Sequence, residues 1–500
     1  MSKRNGNTFR PDVTLLEGRE MPAVSAVSLA GGVVTVDCNN AASIVHVAQS
    51  ATAVVIADVK TNHTWSFAAN QVSRIDLYGG GGNDTLSAST SSPSTARLVR
   101  IFSGGGNDSV TGTGGPVYMQ AGSGNDTLSA PSGNDTLMGG SGQDVLKGGT
   151  GFDQLVAGTG DTYMNAGTGV STLTAGVGTD TLVAINGQAT DTIQTGVGQA
   201  IMWVDDVNGT TDTIIGSTSG DVIQAVPGFT NAGATTTLNG GTFAEPRLLA
   251  NNYYEAFANR PLFASTGPVA ADVKQYINAK TGATELTDSW LLAGLAAIAN
   301  EDPAAIENNV VDFGDGTYGV RLGNEFFRVD NKLPVNQYGS VTTAYASLGT
   351  QASLWVPIVE KAFAYYETQH GAPSYATLNT GATTFVYAAF GSTSYGSITF
   401  GSLGNANNLG TEISAFLGSN YSTAVGLVGA VTGTDVDTGA AVTLKAGKEY
   451  TVLDYTSDLN GNVLTVILRD PDGANSDGVE VTLANLYAAG ANSTLDVGLV

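Results

Sequence analysis

Asp126, Asp135, Asp144 and Asp153 follow one another at intervals of nine residues, and each closes a glycine-rich turn. The turns read AGSGNDTLS from Ala121, a shortened SGNDTLM from Ser132, GGSGQDVLK from Gly139 and GGTGFDQLV from Gly148. Earlier copies, GGGGNDTLS over 79–87 and SGGGND over 103–108, add Asp84 and Asp108. The period runs on through Thr162 and Ser171, where the aspartate is lost, to Asp180, where it returns. So short a period leaves room for one tight turn and one short strand per repeat. Glycine supplies the turn conformations that other residues resist. The large apolar residue two places after each aspartate (Leu128, Leu137, Leu146, Leu155) starts the strand and faces a narrow core.

This pattern resembles the RTX nonapeptide, GGxGxDxUx, in which U is a large apolar residue. The resemblance implies a parallel β-roll or β-solenoid in which two nonapeptides complete one turn. Repeats n and n+2 then stack, with Asp126 over Asp144 and Asp135 over Asp153. It further implies Ca²⁺ held between successive turns by Asp84, Asp108, Asp126, Asp135, Asp144, Asp153 and Asp180 together with turn carbonyls. Oxygen-only coordination suits Ca²⁺ and disfavours Zn²⁺. Between Ile101 and Pro246 the only lysine or arginine is Lys147, so the stacked carboxylates have almost no side-chain counter-charge. The array is therefore expected to be poorly ordered without calcium and to fold on binding it. A metal-free solenoid whose aspartates only shape turns is the alternative, and it weighs more beyond Thr162. There Asp191, Asp212 and Asp221 sit among irregular glycines.

The rest of the sequence bounds the context. With 500 residues and a break in composition near Pro246, the chain reads as multidomain: a polar leader over 1–24, a repeat domain over 25–246 and a further domain over 247–500. A net charge of −24 opposes nucleic acid and anionic membranes, which need a basic footprint, and favours cations as partners. Cys38, the single cysteine, excludes an internal disulfide and any multi-cysteine metal site. No apolar run is long enough for a transmembrane helix. No apolar stretch of the secretory type follows the basic start. Within the leader, RPDVTLLEGREMPA over 10–23 resembles an LExR-x-x-P element found near the start of large surface proteins of environmental bacteria; a flexible tail is the alternative. From Val24 to Tyr78, VVTVDC, SIVHVA, AVVIADV and RIDLY read as strands, and His46 and His63 as structural or exposed rather than as ligands.

Beyond Pro246, helix-length patterns appear at 290–300 (WLLAGLAAIAN) and 354–366 (LWVPIVEKAFAYY), beside strand pairs at 318–335 and from Glu449 to Gly473. An α+β domain is expected. Six stretches in this order resemble the calpain-type, papain-like cysteine peptidase core (family C2): RPLFASTGPVAADVKQ, DSWLLAGLAAIA, DGTYGVRL, VDNKLPV, LWVPIVEKAFA and GKEYTVL. The family's nucleophilic cysteine opens a helix, where the helix terminus stabilises a thiolate; this chain has Ser289 there. The family's histidine position holds Lys448 and its asparagine position Asp470. The family's oxyanion-hole glutamine position, six residues before the nucleophile, holds Ala283, while Gln275 stands about eight residues further away. His370 lies in a different stretch.

A serine hydroxyl needs an adjacent base, and an Asp470 paired with Lys448 would keep that lysine protonated. The resemblance thus implies a pseudoenzyme scaffold that takes a protein or peptide ligand in a degenerate cleft. A functional calcium-dependent cysteine, or converted serine, endopeptidase is one alternative. A structural surface spacer or adhesion protein is another. Calcium-folded repeats imply a secreted or surface-displayed bacterial protein.

Overall fold

The computed structural model describes residues 24–187, 190–207, 210–229, 245–249, 252–276, 286–337, 339–367, 373–471 and 478–500. The leader, Ala283, His370 and Asp472–Gly473 lie outside the described residues. The chain divides into two compact units. One is Met1–Ala184 with Thr190–Ala200 and Thr213–Asp221; the other is Ile185–Ala189, Ile201–Asp212 and Val222–Val500.

In the first unit the chain lays successive strands alternately into two sheets. One sheet runs from Arg74–Gly80 through Val99–Gly104, Val117–Gln120, Thr136–Met138, Phe152–Val156 and Val170–Thr174 to Thr192–Gln194 and Thr213–Ile215, all parallel. The other runs from Ile44–Gln49 through Thr85–Thr90, Ser109–Thr113, Thr127–Ser132, Asp144–Lys147 and Thr162–Asn165 to Asp180–Ala184, also parallel. The register follows the repeat: Leu128 lies beside Leu146, and Leu155 beside both Leu137 and Leu173. These leucines are fully buried, each turn adding one large apolar side chain per sheet. At the N-terminal end the pattern switches to antiparallel pairs, Val24–Ala30 on Val33–Cys38, Ile44–Gln49 on Ala53–Asp58, and Ala53–Asp58 on His63–Ala68. This is where the glycine turns have not yet begun.

Glycine is required at two places in each full repeat because the turns stack backbone on backbone. A Cβ on Gly140 would lie 2.0 Å from the Gly122 carbonyl oxygen, and one on Gly142 would lie 2.0 Å from that of Gly124. Gly142 also has φ +132°, which a side chain resists. The same clash recurs at Gly158 over Gly140 and at Gly160 over Gly142.

The second unit is mostly strands with few helices among its described residues. The helix Ser289–Glu301 is buried from Trp290 to Ala299, which is why its sequence is apolar all round. It packs with the helix Trp355–Tyr366 in one apolar cluster. Thr317–Leu322 and Glu325–Asp330 pair across a turn at Gly323. An eight-stranded antiparallel sheet follows, built around Ser422–Leu427, Lys448–Ser457, Val463–Arg469 and Thr494–Leu499. It carries an apolar cluster of its own, which the helix Ala406–Leu417 joins through Leu409 and Ile413. Along Lys448–Ser457, side chains alternate. Thr451 donates from Oγ1 to the Ala293 carbonyl of the central helix at 2.9 Å, while Tyr450 is buried in the sheet's cluster.

Gly142→Ala should lower the stability of the calcium-loaded array by at least about 2 kcal/mol, from strain at positive φ and the carbonyl clash. Ser141→Ala, at an exposed position in the same turn, should change it by less than about 0.5 kcal/mol. Chemical denaturation in saturating calcium checks both, and equal small effects would count against backbone stacking as the constraint.

Candidate metal-binding array and C-terminal cleft

The aspartates of the repeats form two columns. In the first, the Ser43 backbone N–H donates to Asp84 Oδ1 at 2.6 Å, that of Asp84 to Asp108 Oδ1 at 2.7 Å, that of Asp108 to Asp126 Oδ1 at 2.7 Å and that of Asp126 to Asp144 Oδ1 at 3.0 Å. In the second, Val117 N–H donates to Asp135 Oδ1 at 2.7 Å and Asp135 N–H to Asp153 Oδ1 at 3.0 Å. Asp126 therefore stacks on Asp144 and Asp135 on Asp153. Where the repeat erodes, Thr162 N–H still reaches Asp180 Oδ1 at 2.9 Å, eighteen residues on. Ser171 N–H reaches Asp191 Oδ1 at 2.7 Å, twenty residues on. Ala200 N–H reaches Asp221 Oδ1 at 2.8 Å, twenty-one residues on. Asp191 and Asp221 thus occupy column positions that a strict nine-residue count passes over.

A parallel ladder outside the aspartates was not anticipated. Asn107 N–H donates to Asn83 Oδ1, Asn125 N–H to Asn107 Oδ1 and Gln143 N–H to Asn125 Oδ1, each at 2.9 Å. Its signal in the sequence is the recurring Asn-Asp pair, read above for its aspartate alone.

The second carboxylate oxygens divide into two groups. Those of Asp126, Asp144, Asp153 and Asp180 accept the N–H of the glycine four residues earlier, at 3.4, 2.7, 2.9 and 2.6 Å. Those of Asp84, Asp108 and Asp135 are buried without a hydrogen-bond partner. Burial pushes the Asp84 carboxyl up to about 6, aided by Asp108, and Asp135 up to about 7, aided by Asp153. Asp108, Asp126, Asp153 and Asp180 are likewise raised, burial being the largest cause. Partnerless, desolvated carboxylate oxygens fit a hard divalent cation. Among the described residues no three acidic, histidine or cysteine side chains converge, so such a cation must be completed by turn carbonyls beside stacked aspartates.

In the second unit, Ser289 lines a cleft of about 360 Å³ together with Lys448, Glu449, Asn379, Asn492 and Thr494. Ser289 Oγ accepts the Glu449 backbone N–H at 3.4 Å, a long contact. Asp470 is buried just past the strand Val463–Arg469 and is not among the residues lining this cleft. The structure therefore brings Ser289 and Lys448 to one cleft and leaves Asp470 off its walls. The Gln275 amide donates to Asp288 Oδ1 at 2.6 Å and to the Leu286 carbonyl, so it faces the start of the helix. Strand alternation puts Glu449 with Thr451 on the face toward the helix, and Lys448 with Tyr450 on the other. Glu449, which the sequence reading passed over, is pushed up to about 8 by burial and then by Asp496.

The RTX calcium-binding nonapeptide repeat family matches the chain in four copies, over residues 76–90, 102–137, 120–155 and 156–184. No curated protein matches the chain. RTX nonapeptide repeats bind Ca²⁺, and calcium is the cofactor of this array.

The raised aspartates set a pH dependence. In the folded, calcium-free array they hold protons at a pH where the unfolded chain has released them. Their contribution to stability is fully present below about pH 4 and is lost as pH rises through about 6 to 7. In EGTA, strand circular dichroism should be stronger at pH 5 than at pH 8, and calcium at pH 8 should restore it with release of protons. A calcium-free signal that is flat or rises with pH would refute this coupling.

Proposed function

We propose that the chain is a calcium-binding exported or cell-surface protein of the bacterial RTX type, with a C-terminal domain that binds a ligand without peptidase chemistry. The observation that carries the reading is the pair of aspartate columns with buried oxygens lacking a partner. Calcium is abundant outside cells and scarce in the cytoplasm. Such an array stays loose before export and locks after it. RTX repeats are typical of exported proteins, and no helix among the described residues is long and apolar enough to cross a membrane.

The proposal for the second domain rests on the calpain-type resemblance and its altered positions. Ser289 stands where that family has its thiol, and a hydroxyl is a far weaker acid. Among the described residues its Oγ receives a hydrogen bond from a backbone N–H, which does nothing to remove its proton. Lys448 falls on the strand face opposite the helix, and Asp470 is off the cleft wall. These features favour a peptide-binding cleft over a working endopeptidase.

Removal of calcium with EGTA at pH 8 should abolish most strand signal from the array, and readdition should restore it; identical spectra in both conditions would sink the calcium-folding reading. Incubated with unfolded casein in millimolar calcium, the protein and its Ser289→Ala variant should be equally inert. Turnover that the substitution removes would instead establish a serine endopeptidase.

A further inference from the structure

Half-buried Glu449 and buried Asp496 are two acids of the eight-stranded sheet beside this cleft. Glu449 lines the cleft, and Asp496 is 4% exposed on Thr494–Leu499, one strand further along the sheet, where Gly426 of the intervening strand Ser422–Leu427 lies opposite both Glu449 and Thr494. Glu449 Oε2 accepts the Thr383 N–H at 3.2 Å, and Asp496 Oδ2 accepts the Thr494 hydroxyl at 3.1 Å. Tyr387 is fully buried, its hydroxyl has no hydrogen-bond partner, and both carboxylates oppose its ionisation. Two acids and an unsatisfied hydroxyl are a poor arrangement for an empty interior, because each loses hydration and gains little in return. Burial raises both carboxyls, the charge of Asp496 adds to the rise at Glu449, and the offset to Glu449 comes from one backbone N–H. A cation entering from the cleft would reverse that balance.

The one lysine on the cleft wall, Lys448, leaves the strand on the opposite face from Glu449 by alternation. The remaining wall carries neutral hydrogen-bonding groups, Ser289, Asn379, Asn492 and Thr494, suited to a peptide backbone or an amine's hydrogens.

We propose that this cleft is a subsite for a primary ammonium group of a peptide, held by Glu449 with Asp496 behind it. The inference rests on the reading of the cleft as a peptide site. It names the chemistry recognised there, shared by a peptide's N-terminus and a lysine side chain.

Isothermal titration of the calcium-loaded full chain with three tripeptides tests it. One is acetyl-Ala-Lys-Ala-amide, with a side-chain ammonium; one is Ala-Ala-Ala-amide, with an α-ammonium; the third is acetyl-Ala-Ala-Ala-amide, with neither. At least one ammonium peptide should bind about tenfold or more tighter than the neutral one, as a charge-assisted hydrogen bond requires. Whichever does so identifies the source. Glu449→Gln, which keeps an acceptor for Thr383 N–H, and Asp496→Asn should each reduce that preference to about twofold or less while neutral-peptide binding persists. Equal binding of all three peptides, or a preference that survives both substitutions, would overturn the ammonium subsite and leave a peptide cleft standing. No binding of any peptide would overturn both.

Discussion

The N-terminal half depends on one contact repeated along it: an aspartate carboxylate oxygen accepting the backbone N–H one full turn away. From Ser43 to Asp144 the contact runs unbroken through Asp84, Asp108 and Asp126. It fixes the register of each turn on the next, which an apolar core of one leucine-sized residue per sheet per turn could not do alone. The glycines follow from it. Once the turns are locked at this separation, carbonyl oxygens sit within 2.0 Å of where a Cβ would be on Gly140 and Gly142. The same bond draws the carboxylates inward, which removes them from water while adding like charges above and below.

Two readings of the aspartates that look exclusive in the sequence are therefore compatible. One makes them turn residues and the other metal ligands. Oδ1 fixes the turn throughout. Oδ2 is turned to the repeat's own glycine N–H in Asp126, Asp144, Asp153 and Asp180, and is left without a partner in Asp84, Asp108 and Asp135. A carboxylate has enough lone pairs for both tasks.

The parts of the fold legible in sequence are those with a strict period. Nine-residue spacing gives the stacking of Asp126 on Asp144 and the buried leucines, and apolar runs give the helices at Ser289–Glu301 and Trp355–Tyr366. Asp191 and Asp221 escaped because residues are added between turns, so that a contact spanning eighteen residues in the regular array spans twenty and twenty-one there. The asparagine ladder escaped because polar turn residues look interchangeable until their partners are known. The cleft was harder still. Word matching points at Lys448, yet adjacent strand residues face opposite ways, and the phase of that alternation is set by packing. Thr451 on the helix and Tyr450 in the sheet fix the phase, and it turns Glu449 to the helix side.

Buried charge elsewhere in the chain gives these acidic sites their meaning. Burial pushes Asp76 up too, but hydrogen bonds and charge from Arg100 and Arg74 outweigh it and bring the carboxyl below its ordinary range. In the second unit, buried Arg328 meets Asp315 at 2.6 Å, and buried Lys361 meets Glu245 and Asp330 at 2.6 and 2.7 Å. The fold thus supplies a side-chain counter-ion at several places where it draws a charge inside, as stability demands. Asp84 lies only eight residues past Asp76 in the same unit, yet burial leaves it raised to about 6. The chain builds a guanidinium clamp for one aspartate and leaves the next series to face each other, a series whose charge a cation from solution would offset. The array takes calcium.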